Sequence, residues 1–491
     1  MMGTKKTPNQ RKLFEILKNV DTKEVIGNDV DIQSITIDSR EVKKGSLFCT
    51  IKGNDKDGHD YVGKAIEAGA SVILCSDLPE KQADNVTYVQ VKNTRRALEK
   101  ILHNYYENIS LQVPLIGVTG TNGKTTVVSL LTDLFCTLGY KVGMISTVEI
   151  RIGNNVIPSK LTTPDIVSLY SLIYQMVRAE CDYIFMEVSS HAIDQNRIGG
   201  LVYRGGVFTN ISHDHLDYHK TFKNYIKTKK KFFDNLSKSA FALTNIDDTN
   251  GEVMMQNTKA KVSKYSVMKM ADYKAKIIDS DMRGTEIDLN MQRVFTNLVG
   301  EYNVYNLTAV YGVASLLKIE DEQILIALSG LKAPKGRFEM ISGSNQINVI
   351  IDYAHTPDAL LKIIKTIADV TNRGRIITVI GCGGNRDNKK RPIMAKVAVN
   401  YSDQVILTSD NPRGEDPQDI IDDMIKGVSA EMMIKVVEIA DRKNAIKTAI
   451  RLANREDIVL IAGKGHENYQ EIKGEKLPFD DAKIARFFLA Q

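Results

Sequence analysis

Residues 117–126 read GVTGTNGKTT, a stretch with the composition of a phosphate cradle. Gly117, Gly120 and Gly123 let the backbone bend tightly, so that the N–H groups of Thr121 and Asn122 can point inward at phosphates. Lys124 can reach the terminal phosphates, and the hydroxyl of Thr125 or Thr126 can hold Mg²⁺. Counted from Gly117, the GxxxxGK[ST] template expects glycine where this chain has Asn122. The surroundings restore the expectation: the apolar run VPLIGV precedes the loop and the helix-like TTVVSLLTDLFCTLG follows it. A glycine-rich turn with an incidental lysine is the bland alternative. The motif points to a nucleoside triphosphate and leaves open what its energy drives.

DYIFMEVSSH, residues 182–191, sets Glu187 near the C-terminal end of an apolar run. Beside a phosphate loop, that position suits a metal ligand or the partner of a metal-bound water. A carboxylate ending a strand elsewhere is often simply solvated. HDHLDYH, residues 213–219, gathers three histidines and two aspartates. By type, His213, His215 and His219 read as a zinc site. Mg²⁺ chemistry on phosphate instead needs hard oxygen ligands, which one imidazole can supplement. A polar loop is the third reading, and the pattern alone does not choose.

Positioning such groups takes buried framework, and 491 residues exceed one core and predict two to four domains. The first segment, 1–110, mixes short β-like runs (ITIDSR, GSLFCTI, SVILCS, VTYVQV) with a helix at 94–107. The second, 111–338, carries the phosphate loop and the strands DYIFMEV, GGVFTNI and AFALTNI. In the third, 339–491, INVIIDY, RIITVIG, QVILTS, KVVEI and DIVLIAG alternate with helical stretches at 357–370, 417–428 and 441–453. Strands apolar throughout, alternating with helices, predict a parallel sheet covered on both faces. The expectation is an α/β protein of three domains.

Composition narrows the function classes. The net charge of +5 is small for this length and the basic residues are scattered, which argues against a nucleic-acid binder. The first residues, MMGTKKTPNQRKLFEIL, have no signal-peptide core, and no apolar run reaches the roughly 18 residues that span a bilayer. Five widely spaced cysteines without a CxxC pair read as reduced thiols of a cytoplasmic protein.

GTNGKTT, MEVSSHA, DHLDYH followed by Tyr225 and Lys229, GEYNVYN, GRFE, DYAHTPDAL, GCGGNRDNKKRP and DNPR occur in this order, in all three segments. Together they closely resemble the Mur ligases, from about Asp38 to Glu467. The resemblance implies an N-terminal uridine-nucleotide-binding domain, a central ATPase domain and a C-terminal Rossmann-like domain. It implies an ATP-dependent ligase that adds an amino acid to UDP-N-acetylmuramoyl-L-alanyl-D-glutamate through an acyl phosphate. The expected partners are these small molecules alone, with no nucleic acid and no membrane insertion, and the protein is expected to be a monomer.

The resemblance also assigns roles residue by residue. Ser39 of DSR and the stretch Asn54, Asp55 and Lys56 correspond to uridine-nucleotide contacts, with His59 a further candidate. Thr162, Thr163, Ser189, Gln195 and Arg197 match residues that grip the muramoyl dipeptide, while Leu161 replaces a polar residue and is given no polar role. Glu187 and His215 match metal-site residues, with Lys124 as the phosphate-binding lysine and Thr125 as the loop's metal ligand. Asn303 and Asn306 match adenine-side contacts; Arg337 and Asp352 match groups that bind ATP across a domain boundary. Lys229 matches a lysine that these ligases carry as an N-carboxylated side chain, formed when a neutral amine captures CO₂ and becomes an anionic Mg²⁺ ligand. That chemistry needs a lowered amine pKa. By residue type alone, TKKKFF is a basic helix face in which Lys227, Lys230 and Lys231 compete; the spacing from Tyr225 selects Lys229.

TSDNPRGEDP, residues 408–417, bears on the amino acid added. Family members that add meso-diaminopimelate carry DNPR here. Diaminopimelate has a second carboxylate where lysine has hydrogen, and Arg413 can clamp it with two parallel charge-assisted bonds. Arg386, Asp410, Asn411 and Pro412 match the rest of this pocket, and Gly463 and Glu467 match groups around the distal amine and carboxylate. Three alternatives stand beside this reading. A lysine-adding ligase usually lacks the arginine; a folylpolyglutamate synthetase lacks the uridine domain and DNPR; an ATP-driven switch needs no amino-acid pocket.

Overall fold

The computed structural model describes residues 10–53, 56–159, 161–343, 346–371 and 374–491. The chain divides into two compact units: Met1–Gly117 with Gly139–Gly206 and Asn235–Ala240, and Val118–Leu138 with Val207–Asp234 and Phe241–Gln491.

The first unit contains a five-stranded sheet in the order Thr22–Ile26, Thr87–Val91, Ala70–Cys75, Ser46–Cys49, Ser34–Thr36. Its first pair is antiparallel and the others are parallel. The helix Thr94–Tyr105 starts where the Asn93 side chain accepts the Arg96 N–H, and it buries Ala97, Leu98, Ile101, Leu102 and Tyr105 as one stripe. The run ITIDSR, read as a strand, is shorter than expected: the strand ends at Thr36, and Asp38 turns its carboxylate back onto the Arg40 N–H at 3.0 Å. An Asp that bonds its own backbone two residues on favours a turn over a ladder. A second set of strands in this unit pairs Val142–Ile145 in parallel with Tyr183–Glu187, and a hairpin Glu149–Ile152 and Asn155–Pro158 continues from it.

In the second unit, Phe241–Asn245, Lys261–Ser266 and Tyr273–Asp281 run parallel, and the chain then folds back through Gly284–Leu289 and Gln292–Thr296 as an antiparallel meander. Sequence reading does not anticipate this meander. Its strands bury one face only, as in YKAKIIDSD, so they lack the continuous apolar run of a strand covered on both sides.

The C-terminal part meets the expectation closely. Six strands lie in the order Glu339–Ser342, Asn348–Asp352, Ile458–Ala462, Ile376–Ile380, Gln404–Leu407, Val436–Glu438, all parallel except the first. One face is covered by helices that contribute Leu360, Met394 and Ile420, the other by helices that contribute Ile446 and Ala485. Four neighbouring strands therefore end on one side of the sheet, and their following loops carry Tyr353–His355, Gly381–Arg386, Thr408–Arg413 and Gly463–Glu467. The crevice beyond the carboxyl ends of parallel strands is where open α/β sheets bind ligands. Among the described residues, no helix is long and apolar enough to cross a membrane, and none of the five cysteines is in a disulfide.

Candidate functional site

The phosphate loop is built into the second unit by close backbone approach. Gly120 has φ +157°, and a Cβ there would sit 1.9 Å from Thr209 Oγ1. Gly123 has φ +86°, and a Cβ would sit 2.6 Å from Asn306 Oδ1. Side chains at these two positions would push the loop off its floor. The loop is further pinned by Thr121 N–H to Asn210 O at 2.8 Å and Asn122 N–H to Asn210 Oδ1 at 3.0 Å. Thr125 and Thr126 open the helix Lys124–Thr137 and are buried. Asn306 thus supports the loop from below. Its amide donates to Asn303 Oδ1 at 3.3 Å, and Asn303 donates to Val299 O at 2.8 Å.

Lys124 Nζ donates to Gly120 O at 3.0 Å and Thr121 O at 2.8 Å. Lys229 Nζ donates to the same Gly120 carbonyl at 2.8 Å and lies 4.8 Å over the Tyr225 ring. Only 1% of Lys229 is exposed. Burial, and then the nearby Lys124 charge, hold its amine well below the usual lysine range, against the opposing pull of Asp214. The same helix turns its other lysines differently: Lys230 pairs with Asp234 at 2.6 Å.

The HDHLDYH loop does not converge on a zinc ion. His213 stacks on Phe222 with centroids 4.6 Å apart, His219 is buried against Tyr218 and Tyr225, and His215 Nε2 lies 3.3 Å from Asp214 Oδ2. Among the described residues, no three His, Cys, Asp or Glu side chains form a metal cage of their own. Thr125 Oγ1 and the Asp214 carboxylate are hard donors of the kind Mg²⁺ takes, and His215 can supplement them.

Arg337 and Asp352 meet beside this loop. Arg337 Nη2 donates to Thr125 Oγ1 at 3.2 Å, and its guanidinium lies 4.5 Å over the Tyr353 ring. The Asp352 carboxylate accepts the Phe338 and Ala354 N–H groups, each at 2.8 Å. Burial outweighs those bonds and the Arg337 charge, and pushes the Asp352 carboxyl up to about 6. His466, against the same Tyr353 ring at 5.1 Å, is driven down to about 3 by burial and by Arg337, which keeps it neutral at physiological pH.

Further along the sheet edge, a Cβ at Gly383 would meet Arg413 Nη1 at 2.9 Å and Arg386 Cγ at 3.7 Å, so the two arginines flank one glycine. Arg413 has φ +53°, its Nη1 donates to Gly384 O at 2.9 Å, and its Nε lies 3.4 Å from Glu471 Oε2. The loop after Pro412 is anchored from behind by Arg391, 2% exposed, which pairs with Glu415 and Asp423. Asp410 and Asn411 are buried, and Asp410 Oδ2 lies against Gly463, whose added Cβ would approach it to 2.7 Å. Asn411 Nδ2 donates to Glu467 Oε2 at 2.8 Å. Sequence reading misses Lys464, which joins this cluster; its only signal is a lysine one glycine beyond a fully apolar strand.

The residues matched to precursor binding in the sequence lie in the first unit, and hydrogen bonds link several of them. Thr163 Oγ1 donates to Glu187 O at 2.8 Å and accepts the Ser189 N–H at 3.1 Å. Arg197 donates to Thr163 O at 3.1 Å and to Gln195 Oε1 at 2.9 Å. Thr147 joins Thr162 at 3.0 Å through its hydroxyl and donates its N–H to Glu187 Oε1 at 2.8 Å. Glu187 itself is fully buried. A cavity of about 250 Å³ is lined by Ile37, Ile51, Leu98, Leu161, Gln195 and Arg197. Ser39 sits in the turn Ser39–Glu41 two residues from Ile37, and Lys56 is close enough to help Arg40 hold the Asp38 carboxyl low. Asn54 and Asp55 lie outside the described residues. His59 is engaged internally, its Nδ1 2.6 Å from Asp57 and its Nε2 accepting the Ser76 N–H at 3.2 Å.

Residues 31–106 match the Mur ligase family catalytic domain, 118–314 the Mur ligase middle domain, and 336–465 the Mur ligase glutamate ligase domain. A protein of Phocaeicola vulgatus named UDP-N-acetylmuramoyl-L-alanyl-D-glutamate–2,6-diaminopimelate ligase is 50% identical, over 98% of this chain and 99% of that one. A protein of the same name from Cytophaga hutchinsonii is 51% identical, over 94% and 95%. A solved structure so named superposes with a TM-score of 0.69 at 30% identity, covering 98% of this chain and 99% of that one.

Proposed function

Because this chain belongs to the Mur ligase family, we infer that it is an ATP-dependent ligase joining meso-diaminopimelate to UDP-N-acetylmuramoyl-L-alanyl-D-glutamate in peptidoglycan precursor synthesis. The observation that carries the choice of amino acid is the convergence of Arg386 and Arg413 on Gly383. The Arg413 guanidinium at Gly383, with the Arg386 side chain beside it, suits a carboxylate, and Asp410 and Glu467 suit an ammonium. A donor bearing both groups at its far end satisfies them, whereas lysine leaves Arg413 with no carboxylate beyond its contact with Glu471.

A carboxylate cannot acylate an amine directly, because its oxygen is too poor a leaving group. The D-glutamyl carboxylate oxygen attacks the γ-phosphorus of ATP, the bond to the β-phosphate oxygen breaks, and ADP leaves an acyl phosphate behind. With the Thr121 and Asn122 N–H groups held by Asn210, the backbone N–H groups of residues 123–126 at the helix start and the Lys124 ammonium spread the negative charge that develops, so this step is positioning and electrostatics. Asn303, Asn306, Arg337 and Asp352 form the rest of the ATP site. Thr125, His215 and carboxylated Lys229 would hold Mg²⁺, which would supply neutralisation of phosphate charge; Glu187 has the same assignment from its strand end. An ammonium at Lys229 would not fit such a site, and a carbamate would. Ser39, Lys56, Thr162, Thr163, Ser189, Gln195 and Arg197 orient the UDP-linked substrate, with Asn54 and Asp55 assigned from sequence alone. The donor amine then attacks the acyl carbon, loses a proton, and the tetrahedral intermediate expels inorganic phosphate. The enzyme acts as a monomer in the cytoplasm, where ATP and the nucleotide precursor are at hand.

Phosphate release from ATP with UDP-N-acetylmuramoyl-L-alanyl-D-glutamate, supplied with meso-diaminopimelate or L-lysine in parallel, tests this. Release with diaminopimelate and little with lysine is expected. Preference for lysine would overturn the choice of amino acid, and release that ignores both amines would overturn the ligase assignment.

A further inference from the structure

Lys464 is fully buried, an unusual place for a lysine unless its nitrogen is engaged on several sides. Its Nζ donates to Asn411 Oδ1 at 3.0 Å and to Glu467 Oε2 at 3.0 Å, and lies 4.0 Å from Asp410 Oδ1. The Tyr469 ring closes the remaining side, 5.5 Å from Nζ to centroid. All three polar partners belong to the amine-donor pocket.

The contacts have a definite sense. Asn411 Oδ1 accepts from Lys464 and from the Glu471 N–H at 2.9 Å, while Asn411 Nδ2 donates to Glu467 Oε2 at 2.8 Å. The amide therefore has only one orientation that satisfies both ends. Glu467 Oε2 takes two donors, Lys464 and Asn411, which fixes the carboxylate plane and leaves Oε1 as the oxygen available to a ligand. Formal charges sharpen the point. Asp410 and Glu467 contribute two negative charges and Lys464 one positive, so the cluster retains a single negative charge, enough for one ammonium.

We propose that Lys464 is a positioning residue of the amine-donor pocket, orienting the Asn411 amide and the Glu467 carboxylate so that the pocket takes one ammonium of a diamino acid. The proposal rests on the donor-pocket assignment above. The polar partners of Lys464 are Asn411, Glu467 and Asp410 of that pocket, so its loss acts on the affinity for the donor.

The test compares Lys464→Met, Lys464→Gln and Glu467→Gln in the full-length enzyme, with KM measured separately for meso-diaminopimelate, ATP and the UDP-linked substrate. Lys464→Met is expected to raise the donor KM at least tenfold while the other two KM values stay within twofold. Lys464→Gln, which keeps a donor for Asn411 and Glu467, is expected to fall between Met and wild type, and it carries the test if Lys464→Met fails to fold. Equal rises in all three KM values would overturn the proposal, since they would report a general loss of structure. So would an unchanged donor KM in the lysine variants while Glu467→Gln raises it. If Glu467→Gln leaves the donor KM unchanged as well, the donor-pocket assignment itself fails.

Discussion

Lys229 and Lys124 donate to one acceptor, the carbonyl of Gly120, from 2.8 and 3.0 Å. Two ammonium groups on a single carbonyl repel one another, and of the pair Lys229 is the one shut away from water. Of the two amines it is therefore the one that loses its proton more readily, and the neutral amine is the state that reacts with CO₂.

Carboxylation of Lys229 follows as a direct prediction. Enzyme incubated with isotopically labelled bicarbonate should show one carbamate carbon resonance, absent in Lys229→Arg. Lys229→Ala should lose roughly 10²–10³-fold in turnover, the scale of removing one preorganised electrostatic group, and short carboxylic acids should restore part of it. A carbamate signal that survives in Lys229→Arg would sink the idea.

Arg413 should set the preference among amino acids. One charge-assisted hydrogen bond contributes roughly 1.5–3 kcal/mol, so Arg413→Met should cut kcat/KM for meso-diaminopimelate by roughly 10- to 100-fold while changing the small rate with L-lysine little. Ratios of kcat/KM for the two amines check this. Discrimination that survives in Arg413→Met would move the choice to Arg386.

Asp352 should make stability depend on pH. Its folded carboxyl titrates at about 6, above the usual 3.8, because burial disfavours the anion. The folded state thus binds more protons than the unfolded state between those values. The stabilising contribution of the protonated form is complete below the unfolded value and is lost as pH rises through about 6. One pH unit below 6, wild type should gain about 1.4 kcal/mol relative to pH 7.5, and Asp352→Asn should lack that gain. Urea unfolding of both proteins at the two pH values checks it; identical pH dependence would assign the titration elsewhere.

The C-terminal sheet was legible from its strands because burial on both faces leaves continuous apolar runs such as INVIIDY and DIVLIAG. The meander after Lys261 was not, because strands with one wet face carry mixed residues, and the hairpin at 149–158 was lost for the same reason. The phosphate loop was readable down to its glycines. The zinc reading of HDHLDYH had the right residue types and failed on direction, since His213 and His219 turn to aromatic neighbours.

Local chemistry is what the sequence determined alone: a glycine-rich turn ahead of a helix, helix caps at Asn93, Thr356 and Asp416, and strand-to-loop junctions that carry polar residues. These depend on backbone freedom and short-range hydrogen bonds, which neighbours in the chain supply. The match to the family's spacing from Tyr225 picked out Lys229, but tertiary structure decided what surrounds each lysine. Lys229 and Lys230 are adjacent and chemically alike, yet one is buried on the Gly120 carbonyl and the other pairs with Asp234. Lys464 gains its place from Asn411 and Glu467, and Arg386 meets Arg413 at Gly383, because parallel strands bring their carboxyl ends side by side. Burial and charge proximity are properties of that packing, and no spacing along the chain encodes them.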